Sequence, residues 1–237
     1  MSAASVAGTS APTPAVPATR MATVLVGGHA VKHMFNQGFL AMLPDIQNGL
    51  GLSNTAVGAL STARNVAGAT SNLPAGFVAD RYSRHWAPIL AGSMVLIGAF
   101  HFLMGSVDSY VPLLLAAMVA NAAVSFWHPP AIAALSRRFA ERRGFAISLH
   151  GSGGSIGEAL GPVVVGALLL VIPWFIILQV SLIPALVTAL VVITLLRNMR
   201  GETVGNLTMC GYMYSLRHFL THRTLRMIPK QVSKSGS

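Results

Sequence analysis

Long apolar stretches constrain the fold of this chain more than any other feature. A helix that crosses a bilayer needs about 20 predominantly apolar residues, and six such stretches follow one another with short connections. Turn and cap signals separate the first two, at Pro44-Asp45 and at 48–51. The sequence therefore predicts an all-α membrane protein with six transmembrane helices, at residues 22–43, 55–78, 86–107, 111–135, 145–171 and 174–196.

The composition agrees with a membrane protein. Hydrophobic residues make up 53% of the 237 residues and charged residues only 9%, whereas about 25% of a soluble domain is charged. The chain has one cysteine, which excludes a disulfide framework and a cysteine-built metal site. We expect neither a metal nor another cofactor.

The distribution of positive charge predicts the topology. Sixteen lysines and arginines against six acidic residues give a net charge of +10. With a cytoplasmic N-terminus, the loops on that side and the two tails hold 14 of these cations, namely Arg20, Arg81, Arg84, Arg137, Arg138, Arg142, Arg143, Arg197, Arg200, Arg217, Arg223, Arg226, Lys230 and Lys234. The opposite loops hold none. Because cytoplasmic loops are rich in lysine and arginine, we expect a multi-pass inner (plasma) membrane protein with both termini cytoplasmic, and no nucleic-acid partner.

The ends of the chain differ in composition from its middle. Residues 1–20 resemble a disordered cytoplasmic N-terminal tail, since 1–19 carry no charge and consist mainly of small residues and proline. A cleaved signal peptide is the competing interpretation, but no basic segment precedes an apolar one. Residues 21–197 are predicted to form the transmembrane domain, and 198–237 a basic cytoplasmic linker or tail. Within that tail, 212–228 is expected to lie against lipid headgroups.

Polar residues inside the predicted spans are the main candidates for function. A charge at the centre of a bilayer costs several kcal/mol, about 2.5 to 3.5 on insertion scales, so such residues usually face a cavity or a partner. Helix one carries four polar residues at i, i+3, i+4 and i+7, which places them on one face. We predict a substrate and proton pathway formed by His29, Lys32, His33, Asn36, Arg64, His128, His150 and Glu158.

Glu158 has two interpretations. It lies at a depth similar to that of Lys32 and Arg64, and a pair with either would be a structural ion pair that leaves one cation in excess. Alternatively, Glu158 is a carboxylate that binds and releases a proton. His101 lies in a helix without another polar residue at that depth, and a packing role is expected for it.

The loop between helices two and three contains a motif. It reads Gly76-Phe77-Val78-Ala79-Asp80-Arg81-Tyr82-Ser83-Arg84-His85. This pattern resembles the signature of the major facilitator superfamily, although Ser83 stands where the superfamily often has a second glycine. The resemblance implies a fold of 3+3 inverted repeats and a cytoplasmic conformational latch formed by Gly76, Asp80, Arg81 and Arg84.

A second, narrower resemblance concerns helices four and five. Phe126-Trp127-His128-Pro129, Arg142-Arg143-Gly144 and a glycine-rich run are similar to the fosmidomycin-resistance type of drug exporter within that superfamily. In helix five, small residues at three- and four-residue spacing favour close helix packing, and a proline favours a bend. The predicted packing and bending residues are Gly154, Gly157, Gly161 and Pro162.

The length agrees with half of such a transporter. Superfamily members resemble two six-helix halves with the substrate between them, so this chain is expected to be the N-terminal half. A truncated or frameshifted product is favoured over a half-transporter that pairs with a second six-helix half or with itself.

The predicted function is secondary active transport, as proton-coupled efflux of a small, drug-like or metabolite substrate that carries negative charge. The partners would be that substrate, protons and the lipid bilayer. A non-transporting membrane regulator or assembly partner is the alternative. No enzyme motif such as His-Glu-x-x-His occurs, and we expect no enzymatic activity.

Overall fold

The computed structural model describes residues 16–199. Most of the predicted N-terminal tail and nearly all of the basic linker or tail, including 212–228, lie outside the described residues. The helix α1 begins at Ala18, within the stretch assigned to the tail.

The described part of the chain is helical throughout. Its helices are α1 (Ala18–Ala41), α2 (Leu43–Leu50), α3 (Asn54–Arg81), α4 (Trp86–Met104), α5 (Tyr110–Ser125), α6 (His128–Arg138), α7 (Arg143–Leu169), α8 (Trp174–Val180) and α9 (Leu182–Leu195). Short 3-10 turns, Ser83–His85 and Ala140–Arg142, precede α4 and α7. The all-helical prediction is confirmed for these residues.

Within residues 16–199, four helical segments are long and apolar enough to cross a membrane, namely Ser83–Met104, Tyr110–Arg138, Ala140–Leu169 and Trp174–Leu195. They correspond to the last four predicted spans. The first two correspond to α1 and α3, which have 24 and 28 residues. These two helices are long enough to span a bilayer, but they carry more polar side chains, and the count of six stays a prediction.

The connection between the first two spans differs from the sequence prediction. The turn signals at 44–51 lie in a two-turn helix, α2, rather than in an open turn. Proline is tolerated in the first turn of a helix, where its missing N–H has no intrahelical acceptor. Gly51 then ends α2 with a φ of 60°, a left-handed conformation that glycine adopts without strain.

Two predicted spans are interrupted near prolines. The fourth divides into α5 and α6 at Phe126–Trp127, just before Pro129, and the sixth divides into α8 and α9 at Ser181, three residues before Pro184. A proline removes one main-chain donor and crowds the preceding turn. In contrast, α7 continues through Pro162.

The helices pack in pairs around two apolar clusters. The closest neighbours are α1 with α7, α3 with α5, and α4 with α5 and α9. One cluster contains Leu25, Trp86 and Trp127, and the other contains Phe39 and Leu113. Along α1, the buried residues of the first cluster end at Leu25, and those of the second begin at Phe39. The polar residues of α1 therefore lie between the two clusters.

Candidate substrate and proton site

Close contact between α1 and α7 builds the frame of the site. A Cβ at Gly153 would lie 2.6 Å from the carbonyl oxygen of Val26, and one at Gly157 would overlap that of Ala30. A Cβ at Gly161 would lie 2.9 Å from the carbonyl oxygen of Met34. Both helices advance by four residues per contact, so they run parallel and their backbones nearly touch. This is the packing that small residues permit between membrane helices.

This packing places the histidines of α1 against α7. His29 and His33 both lie beside Gly154. Nδ1 of His29 donates to the carbonyl oxygen of His150 at 2.7 Å, and the two rings stack with centroids 3.9 Å apart. Nε2 of His29 lies 3.0 Å from Nε2 of His33. The structure therefore joins the two α1 histidines to each other and to the start of α7.

Lys32 extends this group to α6. Its side chain is 0% exposed, and its Nζ lies 2.5 Å from Nε2 of His128. His128 is the first residue of α6, directly after the Phe126–Trp127 break. The ring of His29 lies 5.0 Å from that of His128, edge to face. We call His29, Lys32, His33, His128, His150 and Glu158 the histidine cluster.

Glu158 pairs with a histidine rather than with Lys32 or Arg64. Its Oε1 lies 2.9 Å from Nδ1 of His33, and 47% of its side chain is exposed. The carboxylate is thus the open edge of the histidine cluster, whereas Lys32 is its buried centre.

Arg64 lies in a separate contact with α1. Its Nη2 donates to the side-chain oxygen of Asn36 and, at 3.3 Å, to the main-chain oxygen of the same residue. The guanidinium carbon lies 4.9 Å from the centroid of the Phe39 ring, a cation–π contact. Arg64 is only 4% exposed. The second buried cation therefore sits one turn away from the histidine cluster, held by Asn36.

Two contacts that the sequence analysis did not identify fix α3 against α5. Asn121 donates to the main-chain oxygen of Arg64 at 2.8 Å, and Ser125 donates to that of Gly68 at 2.7 Å. Both residues lie on one face of α5, at i and i+4. That spacing of polar residues in an otherwise apolar helix was the available signal.

His101 lies apart from the histidine cluster. Its Nδ1 donates to the carbonyl oxygen of Ile97 at 2.8 Å, and its ring lies 5.4 Å from that of Phe35. It borders an apolar cavity of about 210 Å³ between α1, α7 and α8–α9.

The residues predicted to form the latch lie in the last turns of α3 and just after it. Asp80 and Arg81 end that helix and Arg84 lies in the 3-10 turn that follows, all three exposed. Nε1 of Trp86 donates to the main-chain oxygen of Ala79 at 2.9 Å, which holds this turn against α4. Gly76 has open space around it.

Three ring nitrogens of His29, His33 and His128 lie within 4.8 Å of one another, a spacing that a metal ion can bridge. However, Nε2 of His128 already receives a hydrogen bond from Lys32. An ammonium group at that position repels a metal cation. The histidine cluster is therefore better suited to protons and to an anion.

Comparison with known proteins identifies the family. The family model named Major Facilitator Superfamily matches residues 25–228. The chain belongs to this superfamily. Among curated relatives, the protein described as "Probable 4-methylmuconolactone transporter" from Cupriavidus pinatubonensis is 29% identical over 178 residues, which cover 75% of this chain and 41% of that protein. The superfamily and its transporter relatives agree with the expectation that the chain is not an enzyme.

Solved structures share the fold. A bacterial homologue of the human lysosomal transporter Spinster, in an inward-facing and unoccupied conformation, superimposes with a TM-score of 0.68 at 18% identity, over 86% of this chain and 49% of that one. The peptide transporter POT in complex with sulfate gives 0.67 at 14% identity, over 91% and 47%. The chain thus spans about two fifths to one half of the length of these proteins. It is a multi-pass membrane protein.

Proposed function

We propose that this chain supplies the N-terminal six-helix half of a secondary active transporter that couples a small anionic substrate to protons. The observation that carries the proposal is Lys32, which is fully buried beside four histidines and one carboxylate. A buried ammonium is costly in a membrane. A substrate anion provides a reason to retain it.

The balance of charge favours an anion. Within the predicted spans, Lys32 and Arg64 are the cations and Glu158 is the acid. Glu158 faces His33 instead of either cation, so neither positive charge has a direct carboxylate partner there. An anionic group that enters between α1, α3 and α7 would meet both.

Protons are proposed as the coupling ion because histidine and carboxylate side chains, which make up most of the histidine cluster, can bind and release them. Protonation changes how strongly Glu158 attracts Lys32, and so changes the positive charge that a substrate meets. Efflux, as an antiporter that confers drug resistance, is the direction that the resemblance to fosmidomycin-resistance exporters favours. The curated relative suggests a small lactone as a second substrate class.

The proposed arrangement places α1, α3, α5–α6 and α7 around the pathway, with α4 and α8–α9 toward lipid. Both termini would be cytoplasmic, in the inner (plasma) membrane. The exposed latch residues Asp80, Arg81 and Arg84 would contact a second six-helix half or a second copy of this chain, and the packing residues Gly154, Gly157 and Gly161 would hold α7 against α1.

The test is transport by the purified chain in liposomes, with 4-methylmuconolactone and fosmidomycin as probes. We expect a pH gradient to drive the movement of at least one probe, and we expect Glu158→Gln to abolish its pH dependence. Glu141→Gln, an exposed acid in the turn before α7, is the matched control and should behave as wild type.

Two outcomes would contradict the proposal. Transport by Glu158→Gln with unchanged pH dependence would remove Glu158 from coupling. No movement of either probe, together with unchanged cellular activity after neutral replacement of Lys32, Arg64 and Glu158, would favour a non-transporting regulator.

A further inference from the structure

We propose that the apolar cavity beside His101 is a binding site for a small, neutral molecule with an apolar ring and one hydroxyl group, of the phenol class. No member of the histidine cluster lines this cavity, so the site is separate from the proposed anion pathway. Three features of the cavity support the assignment, namely its lining, its mouth and the polar atoms at its border.

The cavity is large enough for one aromatic ring. Its volume is about 210 Å³, and a dry protein cavity of about 150 Å³ binds benzene. Phe39 of α1, Leu168 of α7 and Ile177 of α8 form part of the wall. All lining residues are apolar except His101 and Ser181. An ion would lose its hydration here without a counter-charge, so the ligand of this cavity is neutral.

The cavity opens between two segments that are long and apolar enough to cross a membrane. Val164 of α7 and Val180 of α8 line it and are 40% and 41% exposed. Pro184 of α9 also lines the cavity and is exposed. Helices α7 and α9 both lie near α1 but have little direct contact with each other. A molecule dissolved in the bilayer would therefore reach the cavity from the lipid.

His101 provides an unused hydrogen-bond acceptor at the wall of this cavity. Its Nδ1 donates to the carbonyl oxygen of Ile97 at 2.8 Å, so the neutral ring has its lone pair at Nε2. The residue is only 6% exposed, and this Nε2 has no hydrogen-bond partner among residues 16–199. Buried polar atoms in folded proteins are almost always paired. A hydroxyl group of a bound molecule would supply the missing donor.

The other polar groups at the cavity are acceptors as well. The hydroxyl of Ser181 donates its hydrogen to the carbonyl oxygen of Leu178 at 2.6 Å, which leaves only its lone pairs. Pro184 has no N–H, so the carbonyl oxygen of Val180, four residues earlier, receives no helix hydrogen bond from it. A ligand oxygen without hydrogen would find no donor among the side chains of the lining, whereas a hydroxyl can donate to any of these acceptors. The lining therefore selects a hydroxyl over a carbonyl, an ether or a carboxylate.

Two probes of similar size test this selection. They are 4-fluorophenol and 4-fluorotoluene, which differ only in a hydroxyl against a methyl group. Fluorine-19 NMR of the full chain in lipid nanodiscs measures the dissociation constant of each, with concentrations referred to the lipid phase. We expect saturable binding of both, with the phenol about five- to tenfold tighter because of one additional hydrogen bond. In nitrogen-15 spectra of histidine-labelled protein, the phenol alone should move the Nε2 signal of His101.

Variants locate the site and its acceptor. His101→Phe keeps an aromatic ring but removes the acceptor, so it should abolish the preference for the phenol and leave the binding of 4-fluorotoluene unchanged. Retained toluene binding in this variant excludes unfolding as the cause. Val164→Trp places a large side chain at the mouth and should prevent binding of both probes. Val163→Trp is the matched control, because this neighbouring residue is 67% exposed and does not line the cavity.

Three results would overturn the proposal. The first is no saturable binding of either probe, as expected if lipid acyl chains fill the cavity. The second is equal binding of the two probes, or an unchanged preference in His101→Phe, because His101 is then not the acceptor. The third is equal binding by Val164→Trp and Val163→Trp, which would place the probes elsewhere. None of these measurements involves transport, so their outcome and that of the liposome experiment are independent.

Discussion

Gly157 of α7 lies directly against the main-chain carbonyl oxygen of Ala30 in α1, with no room for a side chain between the two helices. One turn on either side, Gly153 and Gly161 make the same approach to Val26 and Met34. Because this interface sets the separation and register of α1 and α7, it also brings His33 to Glu158. The glycines are thus a structural condition for the histidine cluster.

Replacement of Gly157 by alanine should therefore destabilise the protein. The added methyl group would overlap the Ala30 oxygen, and overpacking of this kind costs about 1 to 3 kcal/mol. Thermal unfolding in detergent measures the effect. Gly166→Ala is the matched control on the same helix, because nothing lies near that position. Equal melting temperatures for the two variants would contradict the close contact.

Much of the fold follows from the sequence because membrane helices are dictated by length and apolarity. The predicted spans agree with α1, α3, α4, α5–α6, α7 and α8–α9 to within about five residues at each end. The helical period also placed His29, Lys32, His33 and Asn36 on one side of α1. These are properties of one segment at a time, which the sequence specifies locally.

Contacts between segments were harder to predict. Similar depth suggested that Glu158 pairs with Lys32 or Arg64, but depth does not fix the rotation of a helix about its axis. The actual partner, His33, depends on the glycine contacts between α1 and α7. The contact of Lys32 with His128 depends on the break at Phe126–Trp127. The sequence analysis predicted an unbroken fourth helix, from which this contact could not be inferred.

Loss of the acceptor for Arg64 should also destabilise the fold. Asn36→Leu removes the side-chain oxygen that the buried guanidinium contacts, and a hydrogen bond to a charged group contributes about 1.5 to 3 kcal/mol. Thermal unfolding of Asn36→Leu, of Arg64→Leu and of the double variant gives the interaction free energy between the two side chains. The double variant should recover part of the loss, because no unpaired buried charge remains.

Asn72→Leu is the control for this pair. Asn72 also lies on α3, but it is exposed and donates only to Ala69 in its own helix. A loss of stability in Asn72→Leu as large as in Asn36→Leu would show that the contact with Arg64 is not the cause.

Lys32→Met should abolish substrate movement but preserve the fold. Methionine fills a similar apolar volume, and removal of a buried charge without a carboxylate partner is not expected to destabilise. We expect at least a tenfold loss of probe transport in liposomes, about 1.4 kcal/mol or more of lost substrate interaction. Arg142→Met, in the exposed turn before α7, should transport normally. Full transport activity of the Lys32→Met variant would show that Lys32 does not bind the substrate.

The central claim is that the histidine cluster opens to water within the membrane, and accessibility to a membrane-impermeant thiol reagent tests it most directly. Ser155 is exposed on α7, one turn before Glu158 and on the same face. With Cys210 replaced by serine, Ser155→Cys should react in intact membranes, whereas Leu190→Cys on α9, which is 61% exposed and proposed to face lipid, should not. Protection of Ser155→Cys equal to that of Leu190→Cys would contradict a water-accessible pathway.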